Sequence, residues 1–240
     1  MRDMQCEKAL YLDTFRHRLA EIKPKTLRAF DAGRQFERSV KETFPEAHDL
    51  GSIYGSNLGR YVQATTELLQ QPGTATIFEA GFMYDGMTVL ADVLCRDERG
   101  EIDIYEIKNN SRAKEVFRQD LFVQYYVICH ALKEMPVAEG MKQHLRTFSL
   151  ALKPVELSEP VDGKDNDAAP PSPILYQRVE QTSEAVAELP VVTQRIAHFQ
   201  DILRGTEPAV EMGEQCDTPY ECPFKNYCLG NIPVQLELSF

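Results

Sequence analysis

The chain has 240 residues, 43% of them hydrophobic, and a formal net charge of −11. That apolar share supports a sizeable core, while the acidic excess excludes a protein that coats DNA over its whole surface. No run approaches ~18 apolar residues, and the N-terminal MRDMQCEKALYLDTF lacks the apolar run and cleavage site of a signal peptide. The expected location is therefore the cytoplasm, with no membrane span, and there the six cysteines read as thiols or metal ligands rather than disulfides.

Met4 to Asp13 predicts a short helix, with Cys6 near its start. Lys23-Pro24-Lys25 breaks the chain, and Thr26 is placed to cap a helix running to about Thr43. Leu27, Phe30, Gly33, Phe36, Val40 and Phe44 recur at helical spacing on one face. The other face carries Arg28, Arg34, Arg38 and Lys41, and Glu37 projects one turn after Gly33. Pro45 to Asn57 reads as a loop with short strand content. Leu58 to Gln70 predicts a second helix, stopped by Gln71-Pro72-Gly73.

Three strands follow: Thr76 to Tyr84, Met87 to Arg96 and Glu101 to Asn109. Side chains alternate along a strand. Leu90, Asp92 and Leu94 therefore share one face of the second strand, and Ile102, Ile104, Glu106 and Lys108 share one face of the third. Asp92 and Glu106 thus interrupt faces that should be buried, which is costly unless each charge is paired or binds a metal. A loop of Glu98 to Gly100 sets Asp97 opposite Glu101 and Asp92 opposite Glu106, with Cβ atoms ~4.5–5.5 Å apart. Like charges at that distance repel unless a cation lies between them. Asp, then Glu-x-Lys, on adjacent strands is an arrangement that can hold a hard divalent ion and activate a water.

Arg112 to Glu134 predicts a helix, with Asp120 and Gln124 four apart on one face. His144 to Lys153 predicts a fourth strand, and strand–helix–strand suits a mixed sheet with a crossover helix. Pro154 to Pro173 reads as a polar Pro/Asp-rich loop, Thr182 to Leu203 as a helix interrupted by Pro190, and the tail ends in VQLELSF. The division expected is 1–73, an N-terminal helical segment; 74–153, the sheet-bearing core; 154–204, the polar loop and a C-terminal helical segment; and 205–240, the cysteine segment and tail.

Cys216, Cys222 and Cys228 cluster late in the chain. Cys95 and Cys129 fall within a strand and a helix, where cysteine behaves as a small hydrophobe. Cys6 is the remaining candidate, and Cys6 with Cys216, Cys222 and Cys228 would staple the two ends of the chain. A thiolate-only set suits a cubane iron–sulfur cluster or zinc.

Taken together, Asp92-Val-Leu, Glu106-Ile-Lys108, Asp120 with Gln124-Tyr125-Tyr126, and Cys6 with the late Cys-Pro-Phe cluster resemble the PD-(D/E)XK nuclease superfamily in its RecB-like, iron–sulfur branch. The similarity runs from Cys6 to Cys228. Its implications are an α/β fold with a restriction-endonuclease-like core, a central mixed sheet flanked by helices, and both chain ends joined at a four-cysteine metal cluster. The resemblance implies a metal-dependent DNA nuclease acting on single strands or ends, with a structural [4Fe–4S] cluster or, alternatively, zinc. By the same resemblance Asp92, Glu106 and the Ile107 carbonyl would hold Mg²⁺ or Mn²⁺, with Glu79 and Glu37 as further ligands. Lys108 would position the attacking water, and Gln124 and Tyr126 would steady Lys108 or a nucleotide. A second class fits the same residues: a nucleic-acid-binding or assembly module that keeps the fold and the iron–sulfur cluster without cutting. The resemblance extends to bacterial proteins that carry a further domain, and it implies a possible protein partner or a missing second domain.

Overall fold

The computed structural model describes residues 5–44, 46–136, 143–154 and 175–231. Most of the Pro/Asp-rich stretch and the VQLELSF tail lie outside them. Two compact units emerge, one of Met1–Asp31 with Glu188–Phe240 and one of Ala32–Ala187, their boundaries falling inside helices α2 (Pro24–Lys41) and α6 (Thr182–Arg204).

The second unit is built on a six-stranded sheet whose spatial order follows the chain: β1 (His48–Asp49), β2 (Ala75–Tyr84), β3 (Met87–Arg96), β4 (Glu101–Lys108), β5 (His144–Leu152) and β6 (Gln177–Glu180). Asp85 and Gly86 both take positive φ, 51° and 74°, which is the geometry of a tight two-residue hairpin turn joining β2 to β3. At the next turn Asp97 Oδ1 accepts from the N–H groups of Arg99 and Glu101, each at 2.9 Å, and Gly100 supplies a φ of 82°. β4 and β5 run parallel, as the crossover through α5 (Glu115–Glu134) requires, while β5 and β6 are antiparallel. β6 was not expected from sequence. Its four residues alternate between half-buried and exposed and carry little apolar signal.

The two faces of the sheet are covered differently. Phe36 and Val40 of α2 pack on Phe78, Val93, Ile107 and Ala151. Helices α3 (Leu50–Tyr54) and α4 (Leu58–Leu69) meet the sheet at β2, and α5 meets it at β2 and β3. From Leu121 to Ile128 every residue of α5 is buried, so this helix is enclosed rather than merely amphipathic. Each such leucine or phenylalanine contributes about 1.5–3 kcal/mol relative to exposure. The approach of α4 to β2 is set by Gly81. A Cβ there would meet the Tyr61 backbone at 2.7 Å, and the Gly81 N–H donates to Thr65 Oγ1 at 2.8 Å. The end of α4 is held by the buried Arg96, whose guanidinium donates to the carbonyls of Leu69, Gln71 and Gly73. Those carbonyls would otherwise lack intrahelical donors.

The first unit is mostly helical. Ala9 and Leu12 of α1 (Glu7–Phe15) form a small core with Cys222 and Phe224, and Cys6, Leu19, Ala20 and Tyr227 pack around it. The Glu21 N–H donates to the Pro223 carbonyl at 2.9 Å. Glu207 gathers Lys8 at 3.1 Å, Arg16 at 3.0 Å and the Tyr227 hydroxyl at 3.1 Å. Pro190 lies inside α6 rather than ending a helix there.

The mixed sheet with flanking helices agrees with the sequence reading. Its expected closure, chain ends joined at a four-cysteine metal cluster, does not: among the described residues no group of three or more Cys, His, Asp or Glu is placed to hold a metal ion. No helix among them is long and apolar enough to cross a membrane.

Candidate functional site

The register of the sheet builds a row of carboxylates. Val93 pairs with Tyr105, Leu94 with Ile104, Cys95 with Asp103 and Arg96 with Ile102. One step further along, Asp92 stands level with Glu106. On the other side Phe78 pairs with Val93 and Ala80 with Ala91, leaving Glu79 level with Asp92 but out of the ladder. Glu79 has a φ of 56°, a left-handed conformation within a strand, which costs on the order of 1–3 kcal/mol and is typically retained at functional sites.

Two lysines close this row. Lys108 Nζ lies 2.6 Å from Glu106 Oε1 and 2.9 Å from Asp120 Oδ2 of α5. Lys41 Nζ lies 2.6 Å from Glu79 and 2.6 Å from Glu37. The Ile107 N–H donates to Asp92 Oδ2 at 2.6 Å. Glu106 is only 5% exposed, and its Oε2 has no hydrogen-bond partner among the described residues; the same is true of Gln124 Oε1. Gln124 approaches Glu106 closely enough to help hold its charge.

The electrostatics follow from burial and crowding. Burial pushes the Asp92 carboxyl well above its usual range, and the charges of Glu106 and Glu79 push it further. Burial also raises Glu106, although Lys108 opposes the shift. Glu79 is raised by burial, against the pull of Lys41. For Lys108 burial disfavours the ammonium, but Glu106 and Asp120 outweigh it and hold the group above the usual lysine range. Lys41 behaves alike with Glu79 and Glu37. The row thus keeps two firmly charged ammonium groups beside carboxyls reluctant to ionise.

This geometry corrects the expected divalent-metal chemistry. Asp92, Glu106, Glu79 and Glu37, with the Ile107 carbonyl, were expected to ligate Mg²⁺ or Mn²⁺, yet no metal-holding group occurs among the described residues. The physical reason is occupancy: lysine ammonium groups compensate Glu106, Glu79 and Glu37, and a backbone N–H engages Asp92. Tyr126, only 6% exposed, packs against Tyr84 and His130, with ring centroids 5.6 and 4.5 Å away. Sequence reasoning set Asp120 beside Gln124 on one helical face without its contact to Lys108, and it missed that Lys41 belongs to the row. Lys41 sits four residues after Glu37 on one helix, and that spacing was the available signal.

The four cysteines fare similarly. Cys6, Cys216, Cys222 and Cys228 line one cavity of about 10 Å³, together with Ala9, Leu12 and Phe224. All are free thiols. That volume is room for about one water, not for an iron–sulfur cubane, and the set is not placed to hold zinc either. Burial raises the thiols of Cys222 and Cys228, which favours the neutral form over the thiolate that a metal needs. The [4Fe–4S] and zinc expectations are corrected accordingly.

The sequence matches no protein-family model and none of the curated proteins. The expected membership of the PD-(D/E)XK superfamily is therefore unsupported on both counts, family match and metal site. The metal-dependent nuclease with an iron–sulfur cluster falls with it.

Beside the carboxylate row lies a cationic rim. The Lys153 N–H donates to the Asn110 carbonyl at 2.9 Å, and its ammonium lies 5.8 Å over the Phe36 ring on α2. Gln177 bonds the carbonyls of both Ser111 and Lys153. Lys108 and Lys114 both lie over the Phe117 ring, at 5.8 and 5.7 Å. These contacts tie together the loop after β4, the end of β5 and α2. The loop after β4 and the end of β5 carry the exposed side chains of Arg112, Lys114 and Lys153.

Proposed function

We propose that the chain is a nucleic-acid-binding module that takes single-stranded DNA or DNA ends along the rim of Arg112, Lys114 and Lys153. The observation that supports it most is the contrast in charge. The protein is acidic overall, yet the segments at the ends of β4 and β5 present three exposed cations beside a row whose glutamates are already matched by lysines. A phosphate backbone is neutralised by such a rim, and its affinity then falls steeply with salt. The ammonium groups of Lys114 and Lys153 lie over the rings of Phe117 and Phe36, which limits the entropy lost when a strand binds.

The test is fluorescence anisotropy of a labelled single-stranded oligonucleotide, with chelator present, over a salt series. The expected outcome is binding that weakens as salt rises. Lys114→Ala or Lys153→Ala should each lower affinity several-fold at low salt and reduce the salt slope by about one unit. No binding at low salt, or parental affinity in both variants, would sink the reading. Shortened products on adding Mg²⁺ or Mn²⁺ would replace it with a hydrolytic one.

A further inference from the structure

The cysteine group is left over once the metal readings are set aside. Two remote stretches of chain bring four free thiols to one cavity. Cys6 is half-buried at the N-cap of α1, whereas Cys222 is 8% exposed in the core beneath it. Cys6 packs against the cluster that contains Cys222, Ala9, Leu12 and Phe224. Each of the two raised thiols, Cys222 and Cys228, feels Cys6 more strongly than either of the remaining cysteines. The surrounding core is small, with four buried residues, and small cores gain most from a covalent staple.

We propose that Cys6 and Cys222 form an oxidisable pair, closed to a disulfide by low-molecular-weight disulfides such as oxidised glutathione. The Cys6 thiolate, being the more accessible, attacks one sulfur of the oxidant. An S–S bond forms to Cys6, the oxidant's own S–S bond breaks, and one glutathione thiolate leaves and takes a proton. The Cys222 thiolate then attacks the Cys6 sulfur of this mixed disulfide, forming the protein S–S bond and releasing the second glutathione. In sum, two protein thiols lose two electrons and two protons, and one oxidised glutathione becomes two reduced ones. The closed bond joins the two chain segments of this unit and narrows its unfolded ensemble.

The experiment uses the full chain, purified under reductant, freed of it, and titrated with oxidised glutathione. Peptide mapping without reduction should show a Cys6–Cys222 linkage, with two of the six thiols lost. The thermal midpoint should rise by several degrees, and dithiothreitol should reverse both changes. Cys6→Ser should abolish the linkage and the rise, while Cys95→Ser should leave both intact. Four independent glutathione adducts, or linkage of Cys6 to a different cysteine, would overturn the pairing. So would stoichiometric iron or zinc in the purified protein together with thiols inert to the oxidant.

Discussion

In the sheet unit each buried carboxylate meets a cationic side chain or a backbone N–H, whereas in the helical unit buried thiols line a cavity with apolar carbon. Charge inside a fold is costly even when matched, because desolvation offsets much of the attraction. A neutral thiol is close to a small hydrophobe and carries little such cost. The two regions should therefore respond in opposite ways to substitution and to pH. Removing a partner from the carboxylate row leaves an orphaned charge, while trimming a thiol leaves only a small void.

The sharpest way to break that contrast is Lys108→Met, which keeps the side-chain length and deletes the ammonium. It leaves Glu106 and Asp120 without their shared partner, and breaking a buried pair in this way costs on the order of 3–5 kcal/mol. Urea unfolding at neutral pH should show that loss. The loss should shrink on acidification, because Glu106 can then take up a proton. A loss below about 1 kcal/mol that is the same at every pH would mean the row is solvated rather than buried.

Gly81→Ala tests whether the row is also held mechanically. Its Cβ would enter the Tyr61 backbone at 2.7 Å, and backbone cannot swing aside as a side chain would. The expected destabilisation is about 1–3 kcal/mol by denaturant midpoint. A neutral result would show that α4 can slide on β2. In the other unit, Cys222→Ala removes one buried sulfur and should cost only about 1 kcal/mol. That cost should be equal at pH 5 and pH 7, which the Lys108 variant's should not.

Much of this was legible in the sequence, and the limits are physical. β3 follows from a run of apolar and β-branched residues between turn signals, and its observed bounds are Met87 and Arg96. The pairing of β3 with β4 follows from Asp97 to Gly100, because a turn fixes register and register fixes every facing pair. What strand phase could not reveal is which cation compensates the carboxylates. A divalent ion and a lysine place the same demand on Asp92 and Glu106, so both give the same alternation. Lys41 reaches Glu79 from a helix that the loop and α4 separate from β2, and no local pattern encodes that contact. The cysteines misled for a related reason. Spacing shows that thiols can meet, but not how much room is left between them.

The smallest predicted effect is the most specific to the row. Asp92 has a folded-state carboxyl raised well above 3.8, by burial first and by Glu106 and Glu79 after it. Between its ordinary value and that raised one, the folded protein binds more protons than the unfolded chain. Stability from this group therefore falls as pH rises through that window. Asp92→Asn removes the titration and keeps an oxygen to accept from the Ile107 N–H, and its amide faces Glu106 as a donor rather than a like charge. The variant should be more stable than the parent by about 0.5–2 kcal/mol at neutral pH, and the two should converge as pH falls toward 4. Urea midpoints measured from pH 4 to pH 8 decide it. Asp97 and Asp103 sit in the same protein with carboxyls held low by hydrogen bonds and by Arg146, so their stability is lost on acidification. Their contribution is common to both proteins and cancels in the difference. A gain that is constant with pH would place its origin in packing, and a loss at neutral pH would mean that the Asp92 charge is needed to hold the Ile107 backbone.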